Sequence, residues 1–333
     1  MKLTDLKQVE KAVGKSPAPR DLKVIDHLDE HAVRWLSHAT FGFLAFGNGG
    51  KVRITPAAGE AGFARPVGPA SLAIPLAALD HPALCAVGSS SGTLFLVSGM
   101  EETLRVNGTV SAIEDGTALL QVEECYLHCA KSFRRSDFWA PTTVQDAGCE
   151  AAEFIRRARF LVVASSNASG QTDVSPKGDP AGLLLIEQDG QVCYADRPGN
   201  KRIDSFRNIL EQPQVSMLAL IPGCGEVLEI SGAAELLADE TLAGQFEVQG
   251  KQPKLVTRVA AAEMTIQPSA AIQGASLWPA RPTPEELVPA DIFKAHVKKS
   301  KESSVHAKVA RAAVTLPGAM EKGLELDYKK NMY

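Results

Sequence analysis

LFLVSGMEETLRVNG, Leu94 to Gly108, is restated as LALIPGCGEVLEISG, Leu218 to Gly232. In both, an apolar run of strand length meets a Gly-containing turn, an acidic residue, and a second apolar run that ends on Gly. The match extends in both directions. Upstream, TPAAGEAG (Thr55 to Gly62) lies against SPKGDPAG (Ser175 to Gly182), and downstream DFWAP (Asp137 to Pro141) lies against SLWPA (Ser276 to Ala280). The offsets are 120 residues from Pro56 to Pro176, 124 from Glu102 to Glu226 and 139 from Trp139 to Trp278. Small offsets that grow along the chain are what a duplication with a few insertions leaves, and a repeat of this period sets the fold.

Each copy opens alike. A helix is expected over Val24 to Ser37, where Val24, Leu28, Ala32, Trp35 and Leu36 recur at near-helical spacing, and another over Ala152 to Arg159. Strands follow at Phe41–Phe46 and Phe160–Ala164, with hairpin turns at Gly47–Gly50 and Asn167–Gly170. One further helix is expected at Asp204 to Leu210. Many short strands joined by Gly-rich turns predict a small antiparallel barrel in each half, a mainly β fold with peripheral helices. The organisation read is an arm at 1–23, copy one at 24–141, copy two at 142–280 and a helical extension at 281–333. That extension should start at Thr283-Pro284-Glu285-Glu286, which has the residues of a capping box. Its Lys-rich course fits capping a site, joining a partner chain or covering a barrel edge.

With 333 residues, 45% of them hydrophobic and 22% charged, the chain can build two cores. A net charge of -4 argues against a surface built for nucleic acid. Six cysteines without a CxxC pair are too few for a disulfide scaffold, and no apolar run suits a signal peptide or membrane span, so a cytoplasmic setting is expected.

Two basic clusters could carry chemistry. In copy two, YADRPGNKRIDSFRNIL (Tyr194 to Leu210) crowds Arg197, Asn200, Lys201, Arg202 and Ser205 around a Pro-Gly turn that opens a helix. Free backbone N–H groups, a helix dipole and guanidinium groups suit a phosphate, although a solvated charged turn accounts equally for the residue types. In copy one, CYLHCAKSFRRSDFW (Cys125 to Trp139) sets His128, Lys131, Arg134 and Arg135 among Phe133, Phe138 and Trp139. A flat anionic ligand could stack there, while a basic segment whose aromatics fill core explains the same residues. Cys125, His128 and Cys129 have no second ligand pair at zinc spacing, so no metal site is read.

The motifs FLVVASSNASGQTDVSPKGDPAG, DRPGNKRIDSFRNIL and LIPGCGEVLEISG, with HCAKSFRRSDFW from copy one, resemble the pyridoxamine 5'-phosphate oxidase-like FMN-binding split β-barrels over roughly residues 24 to 280. The resemblance implies paired barrels with FMN in the interface between them, here an intrachain pseudo-dimer. By this likeness Arg197, Asn200, Lys201, Arg202 and Ser205 would hold the phosphate and ribityl end, with Ser175 and Lys177 along the flavin. His128, Lys131, Arg134, Arg135 and Trp139 would close the site from copy one. The motifs are divided between the copies. Copy one has Ala57 and Ala58 against Lys177 and Gly178, and an apolar stretch from Ile74 to Asp80 against DRPGNKR. Copy two has Gln267, Ala270, Gln273 and Gly274 against His128, Lys131, Arg134 and Arg135. One FMN per chain is therefore expected, with the reciprocal site lost; further homodimerisation is left open. The Arg-rich ending by which the true oxidase grips pyridoxal is replaced by LDYKKNMY (Leu326 to Tyr333), so the resemblance implies an oxidoreductase for another small molecule, with NAD(P)H as a candidate electron source. The alternative within the same fold is a flavin or haem binding or storage protein without turnover.

Overall fold

The computed structural model describes residues 1–14, 22–142, 148–199, 202–301, 305–314 and 332–333. In chain order the elements are β1 (Lys2–Leu3), α1 (Leu6–Val13), α2 (Glu30–His38), β2 (Phe41–Asn48), β3 (Lys51–Ala58), β4 (Arg65–Gly68), β5 (Ser71–Pro75), β6 (Ser90–Leu96), β7 (Thr103–Glu114), β8 (Thr117–His128) and α3 (Lys131–Ser136). The second half holds α4 (Ala151–Arg157), β9 (Phe160–Ser166), β10 (Thr172–Gly178), β11 (Ile186–Gln188), β12 (Gln191–Ala195), α5 (Asp204–Glu211), β13 (Gln214–Leu220), β14 (Glu226–Leu237), α6 (Glu240–Gly244), β15 (Val256–Pro268) and α7 (Ala270–Ala275). Two helices follow, α8 (Pro289–Lys299) and α9 (Val305–Val314).

The sheets run β3-β2-β6-β7-β8-β5-β4 and β10-β9-β13-β14-β15-β12-β11, so adding seven to each label of the first gives the second. The repetition reaches fine detail. The register slips at Asn107/Gly108 in one half and at Ser231/Gly232 in the other. The helices α3 and α7 end on residues 139 apart in the left-handed region, Asp137 (φ 47, ψ 51) and Ser276 (φ 48, ψ 51).

Each half has its own apolar interior, and a third cluster lies between them. Along β2, Leu44 and Phe46 face the first interior while Phe41, Phe43 and Ala45 join the shared cluster. Along β9, Leu161 and Val163 face the second interior while Phe160, Val162 and Ala164 enter the same shared cluster. β6 and β13 alternate likewise. A strand buried on both faces has no polar side to show, which is why these strands read as continuous apolar runs. Phe160 is the hub, its ring centroid 4.8 Å from that of Phe133 and 4.7 Å from that of Phe138, both from the other half.

The outer segments cross over. β1 pairs with β14, and Leu3 and Val9 enter the second interior. From the other end, Leu287 and Ile292 enter the first.

Two expected elements are corrected. The helix begins at Glu30 and not at Val24, because Asp29 caps it, its Oδ1 accepting from the N–H groups of His31 and Ala32. Upstream, Ile25 bridges to Cys125, and that pairing holds the chain extended. The late helix starts at Pro289 and not at Thr283; proline does occupy its first turn, but a later one than the capping pattern picked, and its cap Val288 makes no side-chain hydrogen bond. The expected helices at 152–159 and 204–210 form at Ala151–Arg157 and Asp204–Glu211.

Asp29 also docks α8: its carboxylate faces His296 Nε2 at 3.3 Å and accepts from Lys299 Nζ at 2.8 Å. Burial pushes this carboxyl up, but the hydrogen bonds from His296, Lys299 and the Ala32 N–H outweigh it and hold the group well below the usual carboxylate range. A carboxyl whose folded value is depressed contributes stability above its unfolded value and loses it as pH falls. Acid should therefore begin to erode this contribution as the pH falls below about 4 and should release α8 only well below that value, where the folded carboxylate itself takes up a proton, read as amide exchange at Phe293. Asp29→Ala should cost about 3 kcal/mol in urea unfolding at neutral pH, since it strips a helix cap and leaves buried partners unpaired. A Cβ on Gly178 would lie 1.9 Å from the Ser132 carbonyl oxygen of the opposite half. Gly178→Ala should therefore lower the unfolding midpoint by an amount worth about 2 kcal/mol or more.

Candidate functional site between the halves

β10 leaves the shared cluster carrying Ser175, Lys177 and Gly178 along its edge, and α3 of the first half packs across it. Where they meet, a cavity of about 490 Å³ opens, within the range usual for small-molecule sites. From the second half its walls include Ser175, Lys177, Asp179, Arg197, Arg202 and Ser205; from the first, Arg105, His128, Lys131 and Arg135. The lining holds eight Lys and Arg side chains against three Asp, an excess of five positive charges in a protein that is acidic overall. The start of α5 opens onto it through Ile203, Asp204 and Ser205.

Eight of the expected site residues thus come together, from both halves. Asn200 and Lys201 lie outside the described residues. Arg134 and Trp139 sit elsewhere: Arg134 pairs with Glu101, and Trp139 donates from Nε1 to the Met100 carbonyl at 2.8 Å while its ring packs on Phe138. α3 turns Arg134 away from the face that carries Lys131 and Arg135, and Trp139 lies beyond the left-handed cap at Asp137.

Three of the cations are held by carboxylates, of which Asp179 is buried and Asp196 and Asp204 are half-buried. Arg197 Nε donates to Asp179 at 2.8 Å, Arg202 Nε to Asp204 at 2.6 Å, and Lys177 Nζ lies 3.6 Å from Asp196. Burial raises the carboxyls of Asp179 and Asp196, and the neighbouring Arg197 and Lys177 oppose it. Ser175 and Ser205 share a hydrogen bond of 2.9 Å. Burial, reinforced by Arg105 and Lys23, drives His128 well below its usual value, which leaves its imidazole neutral. His128 Nδ1, Ser132 Oγ and Arg197 Nη2 are buried without a hydrogen-bond partner among the described residues, and all three residues line the cavity. Buried polar groups are ordinarily satisfied, so orphans that line one cavity from both halves mark where a polar ligand fits.

Beneath the cavity lies a network that the motifs did not reveal. Arg105, 1% exposed, donates to Tyr126 Oη at 2.6 Å, to Asp173 at 3.2 Å, to the Val174 carbonyl and to Ser175 Oγ at 3.3 Å. Asn107 Nδ2 bridges Asp173 at 2.9 Å and Glu124 at 3.0 Å. The Tyr126 ring carries the Arg202 guanidinium, 4.5 Å from its centroid. First-half residues thereby fix both β10 and the guanidinium that faces the cavity. The available signal was alternation: Arg105 and Asn107 are polar residues on a strand with both faces covered.

At the mirror-related position the first half is sealed. Asp80 accepts from Ser269 Oγ at 2.5 Å and from the Ala271 N–H at 2.8 Å, and Ala271 is the residue 139 positions after Ser132.

Among the described residues no group of His, Cys, Asp and Glu could hold a metal ion, and no helix is long and apolar enough to cross a membrane. No curated protein matches the chain. Solved structures with similar folds include HupZ of Group A Streptococcus (16% identity, 35% of this chain and 91% of that one, TM-score 0.29). An F420 reductase matches at 17% identity over 35% of this chain and 98% of its own, TM-score 0.27. HutZ, a heme storage protein from Vibrio cholerae, matches at 14% identity over 35% and 89%, TM-score 0.24. The family model described as pyridoxamine 5'-phosphate oxidase matches residues 149–274, so the second half of this chain carries that family's domain, as its motifs suggested.

Proposed function

We propose that the two halves are split β-barrels packed as an intrachain pseudo-dimer, that they hold one FMN in the cavity between them, and that the protein is an FMN-dependent oxidoreductase acting on a small molecule. The observation that carries this reading is the cavity wall itself: basic and unsatisfied polar groups from both halves, with an excess of positive charge, where the first half meets the one that the family model matches. Arg202 and Ser205, at the start of α5, suit a phosphate, since a guanidinium grips it in a bidentate way and a helix N-terminus favours an anion. Ser175 and Lys177 run along β10, where the ring would lie, with His128, Lys131 and Arg135 closing over it. Bound there, FMN supplies two-electron transfer. Lys177, beside Asp196 and with its Nζ 5.6 Å from the Phe206 ring centroid, is the cation placed to stabilise negative charge on a reduced ring. The sealing of the mirror site by Asp80 supports a single ligand per chain.

A second reading takes the same cavity for haem. It is favoured by His128, whose neutral imidazole has the form that haem iron takes as a ligand. The two readings separate spectroscopically. Reconstituted protein should bind FMN to saturation at one per chain; two per chain, or none, would refute the proposal. A Soret band that depends on His128, in place of flavin binding, would establish the rival. Arg202→Ala should weaken FMN by about tenfold or more, the worth of charge-assisted hydrogen bonds to phosphate; unchanged affinity would remove Arg202 from the site. Mixed anaerobically with NADPH or NADH, the loaded protein should bleach, and flavin left oxidised by both would count against these electron donors.

A further inference from the structure

Tyr333, on the cavity wall, comes from neither half. The ring of Tyr333 lies 5.6 Å from the Arg135 guanidinium carbon and 5.5 Å from that of Arg197, so one guanidinium from each half faces the same aromatic ring. The backbone is held beside it: Arg135 Nε donates to the Met332 carbonyl at 2.6 Å, and Lys251 Nζ to the Tyr333 carbonyl at 3.0 Å. Burial and the nearby Asp179 carboxylate raise the phenol above its usual value, which keeps it neutral.

These contacts describe a recognition surface. Guanidinium is planar and weakly hydrated, so it lies well against an aromatic face, and two of them over one ring make a seat for flat π systems. Lys251 then sits where a carbonyl oxygen leaves the ring's own residue. A free ligand with a ring and a carboxylate or carboxamide oxygen would make the same contacts, the oxygen taking the hydrogen bond that Lys251 Nζ, itself charged, now donates to Tyr333. We infer that Arg135, Arg197 and Lys251 form the subsite for a planar aromatic substrate bearing a carboxylate or carboxamide oxygen, and that Tyr333 is its resident competitor. Both halves must supply an arginine, so the seat exists only where they meet. As the substrate side of a flavin site this rests on the reading above, but the seat itself is defined by the protein's own ring.

The test uses Tyr333→Ala in the full chain, titrated calorimetrically with 3-(4-hydroxyphenyl)propionate and, separately, with NADH, whose nicotinamide carries the same ring-plus-oxygen chemistry. Removing an internal competitor raises apparent affinity by the inverse of the fraction of time that the seat stands open, so a seat open a tenth of the time gives a gain of about tenfold. A gain for either compound supports the subsite, and which one gains identifies the ligand's source. No gain for either overturns it. In the Tyr333→Ala background, Arg135→Lys keeps the charge but loses the planar face, and should weaken the compound that gained; equal binding would overturn the seat. FMN affinity is measured in parallel. A variant that gains for FMN alone shows that Tyr333 stands in cofactor space and refutes the inference while leaving the flavin reading intact. A protein that binds no FMN but still gains for the aromatic acid refutes the flavin reading and leaves the subsite.

Discussion

Everything in this molecule hangs on the apolar layer that the two halves share. Phe41, Phe43, Phe160, Val162, Leu218 and Leu220 are on strands whose other faces already line the apolar interior of their own half, so neither half could face water along this surface. Apolar burial is non-directional and scales with area, which makes the layer strong but leaves it indifferent to small rotations. Orientation comes from polar contacts at its margin. Arg105 and Asn107 reach across to β10, Ser90 accepts from the Thr172 N–H at 2.8 Å, and Asp80 reaches across to α7. The cavity described above lies where polar groups from the two halves face each other with room between them.

Joining the halves in one chain removes a constraint that binds any symmetric pair. In a homodimer a substitution at an interface appears at both sites; here it appears at one. The first half has alanines where the second has Lys177 and Gly178, and Asp80 closes what would be the partner site. The second half has Ala271 where the first has Ser132, one of the orphaned donors of the cavity. A single chain can let one site close while the other keeps its charges.

Much of the architecture was legible because the repeat encodes it twice. Strands buried on both faces showed as apolar runs, the turns showed through Gly, and the offset of 139 residues between the tryptophans reappears between the left-handed caps of α3 and α7. Cavity-lining residues were legible where residue type alone carries the signal, as at Arg197 and Arg202 and in SPKG. Which face a side chain takes was not: Arg134 and Arg135 are neighbours in sequence, yet α3 sends only Arg135 to the cavity. The Arg105 network was hidden because a buried charge leaves no local pattern when its partners lie 21 and 68 residues away. The helix expected from Val24 failed for a similar reason, since the pairing of Ile25 with Cys125 is a tertiary fact.

The crossing of the outer segments bears on how the chain acquires its structure. Lys2 pairs with Leu237, so the first strand made waits for a partner synthesised 235 residues later. The first sheet, complete in its own strands by His128, still lacks Leu287 and Ile292 from the interior that it covers. Contacts of such sequence separation carry a loop-closure cost that is met only late, and topologies rich in them fold slowly. During synthesis the first half therefore stands for an extended interval with an unfinished core and a bare apolar face, the condition in which chains associate with one another or with chaperones. Its natural protection is the second half of the same molecule, already tethered and present at high local concentration.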